Sequence, residues 1–222
     1  MKNEQLSPRC FDPQPVTLQG RYVRVEPLSM AHAPDLHTVA GEESIWRYLP
    51  TPTPTSLDGV RAWIEAAIDA SRELGDIPFA TIYLPEDRAV GSTRFLEISK
   101  EDRSLEIGWT WVGVDYQRTA VNTECKYLLL KHAFEDLDAV RVQFKTDSRN
   151  ESSQRAIERI GGVREGVLRK HRQLWNGVGR DSVYYSIIDD EWPDVRQQLE
   201  EFLERRRRRR SGAPALSPVA NS

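Results

Sequence analysis

Three groups of residues in this chain have types and spacings that could do chemistry. The first is Glu106, a carboxylate inside the run Leu105–Val112 that also holds Gly108, Trp109 and Trp111. A carboxylate can take a proton from an attacking group directly or through a water. The same Glu106 could equally face solvent or sit in a salt bridge. The second group is Gln117, Arg118, Thr119, Ala120, Val121, Asn122, Thr123 and Glu124, where a tight loop runs into a helical pattern. A helix N-terminus offers free backbone N–H groups and the positive end of the dipole, which together suit a pyrophosphate. Arg118 and Thr119 add donors for anionic oxygens, although the stretch also reads as an ordinary capped helix start. The third group is Asn150, Glu151, Ser152 and Ser153. Asn150 and Ser152 are good cap types, and the Ser153 hydroxyl can donate a hydrogen bond to a departing anion.

These groups need elements to hold them. Residues 21–28 alternate Tyr22, Arg24 and Glu26 against Val23 and Val25, a strand period. Ser29 caps a short helix through Val39. Prolines at 52 and 54 make residues 51–55 a loop. Thr55 is the expected cap of the next helix, which carries Val60, Trp63, Ile64, Ala67 and Ile68 on one face and ends before Gly75. Strands follow at Phe79–Leu84, Ala89–Ile98 and Leu105–Val112. A helix from Ala120 to Glu135 lines up Val121, Cys125, Leu128, Leu129 and Ala133. A strand at Val140–Lys145, a helix at Ser152–Ile160, a strand pair at Val163–Trp175 and Arg180–Ile188, and a helix at Trp192–Arg206 complete the chain. The order βααβββαβαββα predicts a mixed α/β domain. The helix between strands Leu105–Val112 and Val140–Lys145 implies a parallel crossover.

Composition narrows the class. The chain has 222 residues, 39% hydrophobic and 29% charged, enough for one domain with a full core. One domain is expected over residues 16–204, after a disordered leader at 1–15 and before an arginine run and disordered tail at 205–222. No apolar run is long enough to cross a bilayer, and the N-terminus lacks a signal core. Cys10 and Cys125 do not suggest a disulfide framework, and a cytoplasmic location is expected. The net charge of −3 hides an imbalance: without the six arginines Arg205–Arg210, 25 basic face 34 acidic residues, or −9. Such a body suits a cationic substrate such as an amine. Contact with nucleic acid is expected only, if at all, through Arg205–Arg210.

Together the segments resemble the coenzyme A site of the GNAT superfamily of acyl-CoA N-acyltransferases, and within it the RimJ/RimL branch. The family loop is approximately Gln/Arg-x-x-Gly-x-Gly/Ala-Thr-Glu. Here Gln117, Thr123 and Glu124 fit, while Ala120 and Asn122 replace the two small positions. Glu106-Ile107-Gly108-Trp109 resembles the branch's Glu-Ile-Gly-Tyr. In the family that strand splays from its parallel neighbour and its backbone bonds the pantetheine arm, here near Trp111 and Val112. The family Asn and Ser fall on Asn150 and Ser153, whereas the position that often holds a thiolate-protonating Tyr is Ile157.

The resemblance implies a six- to seven-stranded mixed sheet flanked by helices, with a splayed parallel pair forming the cofactor cleft. It implies direct acyl transfer from acetyl-CoA, or another acyl-CoA such as succinyl-CoA, to a primary amine. A protein N-terminus or a small amine is the acceptor, no metal takes part, and a homodimer is compatible. Glu106 would act as base and Ser153 would assist the thiolate. Cofactor contacts would come from Trp111, Val112, Gln117, Arg118, Thr119, Ala120, Val121, Asn122, Thr123, Asn150 and Ser153. The rival reading is a non-catalytic module that binds RNA or a partner through its arginines. Trp109 and Trp111 could wall the cleft or pack the core. His32, His37, His132 and His171 lack metal-ligand spacing and read as structural. Cys125 reads as core, and the arginine run as peripheral to catalysis.

Overall fold

The computed structural model describes residues 11–211, with side chains through Arg207. Residues 1–10 of the expected leader, Cys10 among them, and the tail from residue 212 lie outside the described residues. One eight-stranded sheet organises the chain, in the order β1-β2-β3-β4-β5-β6-β8-β7. The strands are β1 (Leu18–Gln19), β2 (Val23–Pro27), β3 (Ile77–Tyr83), β4 (Arg88–Ser99), β5 (Ser104–Val112), β6 (Arg141–Asp147), β7 (Val163–Gln173) and β8 (Gly179–Ile188). The helices are α1 (Ala33–Val39), α2 (Glu43–Trp46), α3 (Leu57–Leu74), α4 (Val121–Lys131), α5 (Glu151–Arg159) and α6 (Trp192–Ser211). All pairings are antiparallel except β5 with β6. The sheet therefore has one strand more than the upper expectation, the addition being the two-residue β1.

Each face of the sheet is sealed by its own apolar cluster. On one face, α1–α3 bury Leu36, Trp46, Val60, Trp63 and Ile64 against Ala80, Ile82 and Trp111. Trp46, Trp63 and Trp111 meet there with ring centroids 5.1–5.8 Å apart, a contact geometry that adds to simple area burial. On the other face, α4, the turn that follows it and α6 bury Val121, Cys125, Leu129, Ala133, Val195 and Leu199 against Val25, Phe79, Phe95, Val142 and Phe144. Among the described residues, no helix is long and apolar enough to cross a membrane.

Several boundaries differ from expectation for local reasons. Ser56, not Thr55, caps α3: its side chain accepts the N–H of Gly59, three residues on. The long central helix is α-helical only to Lys131 and then widens into a π turn over His132–Asp136. Phe11 is 4% exposed within the core and Asp12 pairs with Lys100 at 2.5 Å, so the expected loose leader does not include Phe11 and Asp12. The terminal helix runs past its expected end at Arg206. α6 continues through the arginine run to Ser211, with Arg205 paired to Glu201 and Arg207 to Glu204.

Candidate functional site

The site begins where β5 parts from β6. Their parallel ladder holds three residue pairs, Ser104 with Arg141, Leu105 with Val142 and Glu106 with Gln143, and then stops. From Ile107 onward β5 bonds only β4, so one edge of its backbone lacks a strand partner. The β4 register also shifts here, with Gly108 facing Arg94 and Trp111 facing Ser92. Trp109 and Thr110 thus oppose Thr93 alone, a bulge in which Trp109 takes φ +50. The Trp109 ring turns out over the Arg94 guanidinium at 4.3 Å, and Arg94 reaches Asp76 at 3.4 Å. Trp111 turns in and packs in the tryptophan cluster at 4% exposure.

A buried ammonium lies beneath the bulge. Lys126 on α4 is 5% exposed, and its Nζ donates to Thr93 Oγ1 at 3.1 Å and Thr110 Oγ1 at 2.5 Å. Burial lowers its pKa to about 8. Sequence reasoning missed Lys126. The only signal was its spacing three residues after Thr123 and three before Leu129, both of which are buried.

Glu106 sits at the last pair of the ladder and is 2% exposed. Its Oε2 accepts from Lys145 Nζ at 3.1 Å and from Gln143 Nε2 at 3.2 Å. The same lysine and glutamine also hold Glu97, at 2.6 and 2.8 Å. Burial pushes the Glu106 carboxyl above its ordinary value, Lys145 opposes this, and Glu97 adds to it. Burial works against the Lys145 ammonium, yet the two carboxylates outweigh it and hold its pKa above the usual lysine value. The salt-bridge alternative for Glu106 is therefore present. It leaves a desolvated carboxylate with raised basicity at the point where the strands separate. Gly108 makes room for it: a Cβ there would lie 2.6 Å from Glu106 Oε1.

The loop after β5 is tied to the strand it leaves. Gln117 Nε2 donates to the Val112 carbonyl at 3.1 Å, and Arg118 adopts φ +58. Thr119 Oγ1 donates to the Tyr116 carbonyl at 2.6 Å and accepts the Val121 N–H at 3.2 Å. Ala120 occupies the cap position with helical dihedrals, so it needs none of the left-handed freedom a glycine would supply. Asn122 Oδ1 is buried without a partner, while Thr123 Oγ1 receives Arg159 Nη2 at 3.2 Å. Glu124 points the other way, away from the loop. Its carboxylate accepts the backbone N–H groups of Arg21, Tyr22 and Val23 at 3.0, 2.6 and 2.8 Å. Gly20 must lack a side chain there, since a Cβ would meet Glu124 Cδ at 2.5 Å. Arg206 donates to the Arg118 carbonyl at 2.7 Å, which brings the arginine run against the loop.

Asn150 caps α5, its Oδ1 accepting the Ser153 N–H at 3.1 Å. Ile157 is buried in the main core. Cys125 is buried and free, its thiol pushed up by burial. Among the described residues, no cluster of His, Cys, Asp and Glu could hold a metal. The free edge of β5 and the loop opening the 11-residue α4 fit an extended amide-bearing arm that ends in phosphates.

A mixed sheet opened at one parallel pair, with a helix N-terminus at the mouth of the opening, defines an acyl-CoA-dependent N-acyltransferase. The chain belongs to the GNAT acetyltransferase family, whose domain model matches residues 23–163. It is 31% identical over 140 residues to the Bacillus subtilis protein named "Putative ribosomal N-acetyltransferase YdaF", covering 63% of this chain and 74% of that one. A GCN5-related N-acetyltransferase from Brucella melitensis shares its structure with a TM-score of 0.82, at 27% identity and 90% coverage of both chains. The ribosomal-protein-S5-alanine acetyltransferase of Vibrio fischeri, at 16% identity, shares the fold with a TM-score of 0.65 over 80% of this chain and 98% of its own.

Proposed function

We propose that this enzyme transfers an acetyl group from acetyl-CoA to a primary amine in a ternary complex within the cytoplasm, with Glu106 as the proton acceptor. The observation that carries this reading is the position of Glu106: buried, raised in basicity by burial, and placed where β5 leaves β6. Acyl-CoA supplies the thioester. The β5 backbone beyond Ile107 aligns the arm and polarises the carbonyl as an oxyanion donor would. Asn150 and Ser153 approach the thiol end, where the Ser153 hydroxyl donates to the leaving thiolate. The YdaF name makes ribosomal-protein N-termini the first acceptors to try. Succinyl-CoA is the second donor.

The test is release of free thiol from acyl-CoA over a panel of peptides and small amines. Glu106→Gln is expected to lower kcat by about 10²-fold, the usual scale for a general base, with the CoA dissociation constant unchanged. A near-normal kcat would make Glu106 purely structural. No thiol release from any amine would favour the non-catalytic rival.

We also assign Arg118, Arg159 and Arg206 to the cofactor's phosphates. Arg159 and Arg206 both lie over the Phe202 ring, at 5.1 and 5.4 Å, and both reach the loop or the first turn of α4. Burial and the like charge of Arg206 lower the Arg159 guanidinium pKa, as expected where cations gather without an anion. Arg159→Gln, and truncation after Glu204, are each expected to weaken CoA binding about tenfold, the scale of one charge-assisted contact. The loss should shrink as salt is raised. Unchanged affinity in both proteins by calorimetry would return the arginine run to the periphery.

A further inference from the structure

The face of the sheet that carries Glu106 holds a buried cation that forms no ion pair among the described residues. β6 sends Gln143, Lys145 and Asp147 to this face, and β8 sends Arg180, Ser182 and Tyr184, because side chains alternate along each strand. Most charges here are matched. Lys145 serves Glu97 and Glu106, and Arg149 binds Asp147 through Nε and Nη2 at 2.9 and 2.6 Å. Arg172 lies 3.9 Å from Glu97. Arg94, further along, has Asp76.

Arg180 is different. It is 8% exposed, yet it forms no ion pair among the described residues. Its one hydrogen bond is a long one, 3.5 Å from Nη1 to the Tyr48 carbonyl, and its buried Nε has no partner. Burying an unpaired guanidinium is strongly unfavourable unless something completes it. Burial lowers its pKa, while Asp147 and Glu106 act in the opposite direction, so the group lies within the electrostatic reach of the proposed base. Tyr48, in the segment between α2 and α3, also lies under the Arg149 guanidinium at 6.0 Å, so this segment and the start of β8 flank one place.

We propose that the acceptor carries a carboxylate near its amine and that Arg180 receives it, a reading that rests on Glu106 facing the amine. Lys145, Arg149 and Arg172 are paired with Glu97, Glu106 and Asp147, which leaves Arg180 as one positive charge outside these ion pairs. One excess charge matches a monoanion. A phosphate dianion would be repelled by three nearby carboxylates. The planar guanidinium fork suits a carboxylate in two-point contact. The acceptor is therefore zwitterionic when it arrives, its ammonium drawn to Glu106 and its carboxylate to Arg180. Two kinds of amine have this pattern: a free amino acid, and a peptide whose amino-terminal residue is followed by an acidic side chain.

The experiment compares matched pairs. Free amino acids are assayed beside their own amides, and peptides beginning Ala-Asp beside those beginning Ala-Asn, by thiol release from acetyl-CoA. For whichever source is correct, the wild type is expected to use the carboxylate member with a kcat/KM at least tenfold higher. Arg180→Gln should remove that preference mainly through KM, with CoA affinity unchanged, and Arg180→Lys should keep part of it. Equal use of both members of every pair by the wild type would overturn the proposal. So would an Arg180→Gln protein that binds CoA normally and loses both members alike. Should Arg180→Gln fail to fold, the wild-type pairs and Arg180→Lys decide. If CoA binds but no amine is acylated, acyl transfer itself fails, and melting curves then judge Arg180 alone. Stabilisation of the CoA complex by the carboxylate member and not by the amide would support the site, and no stabilisation by either would overturn it.

Discussion

Glu124→Ala is expected to destabilise the fold by about 3–5 kcal/mol, because it strands three backbone donors at once. The Tyr22 and Val23 N–H groups are buried and have the Glu124 carboxylate as their acceptor at 2.6 and 2.8 Å, with Arg21 at 3.0 Å beside them. Each buried donor left unpaired costs about 1–3 kcal/mol. Glu124→Gln should lie between, since its single oxygen can still accept while its amide nitrogen faces donors. Urea denaturation measures the loss directly. The family motif includes this glutamate, and a cofactor role would predict the opposite pattern: weakened CoA binding with stability retained. Unchanged stability in Glu124→Ala would sink the structural assignment.

Lys126 is expected to give the protein an unusual dependence on alkaline pH. Its pKa is lowered from 10.5 to about 8 by burial. Between those values the unfolded chain binds a proton that the folded chain does not, so stability rises with pH across that window. The penalty is complete below about pH 8, gone above about 10.5, and amounts to about 3 kcal/mol. Lys126→Met removes the titrating group and leaves Thr93 and Thr110 bonded to each other at 2.8 Å. The mutant should be more stable than the wild type at pH 7, by about 2–3 kcal/mol, and the gap should close towards pH 10. Burial pushes the Cys125 thiol up and the Lys126 charge pulls it down, so the two groups are coupled and the comparison is made in a Cys125→Ala background. A constant gap across pH 7–10 would show that Lys126 does not titrate there.

The chemistry-bearing parts of this chain were legible where they are local. Alternation marks β2, the apolar stripe marks α3 and α4, and Asn150 is a cap that sequence spacing reveals. β1 and α2 were missed because two and four residues are too short to show a period. Thr55 and Ser56 are both good cap types, and only the bond to Gly59 separates them. The remaining omissions are relationships between distant residues. Lys145 meets Glu106 only through the β5–β6 register, and Arg206 meets Arg118 only because α6 packs across α4. Lys126 looks like a solvated helix lysine until β4 and the bulge of β5 each supply a hydroxyl for it, Thr93 and Thr110.

The parting of β5 and β6 after three rungs sets a gauge for what can enter. A sheet edge normally lies at the rim of a protein, where any passing strand can pair with it, and natural chains blunt it with charge, proline or brevity. This one lies inside the sheet, with β6 paired to β5 as far as Gln143 and Lys126 of α4 bonded to Thr110 on the freed part of β5. Strands stand about 4.8 Å apart, so a chain that pairs with this edge takes a strand's place and enters only where β5 and β6 have opened to about twice that spacing. A narrow arm with spaced amides satisfies that edge, whereas a bulky or folded molecule is stopped at the mouth. Selection for the shape of the donor is thus built into the number of rungs, before any side chain takes part.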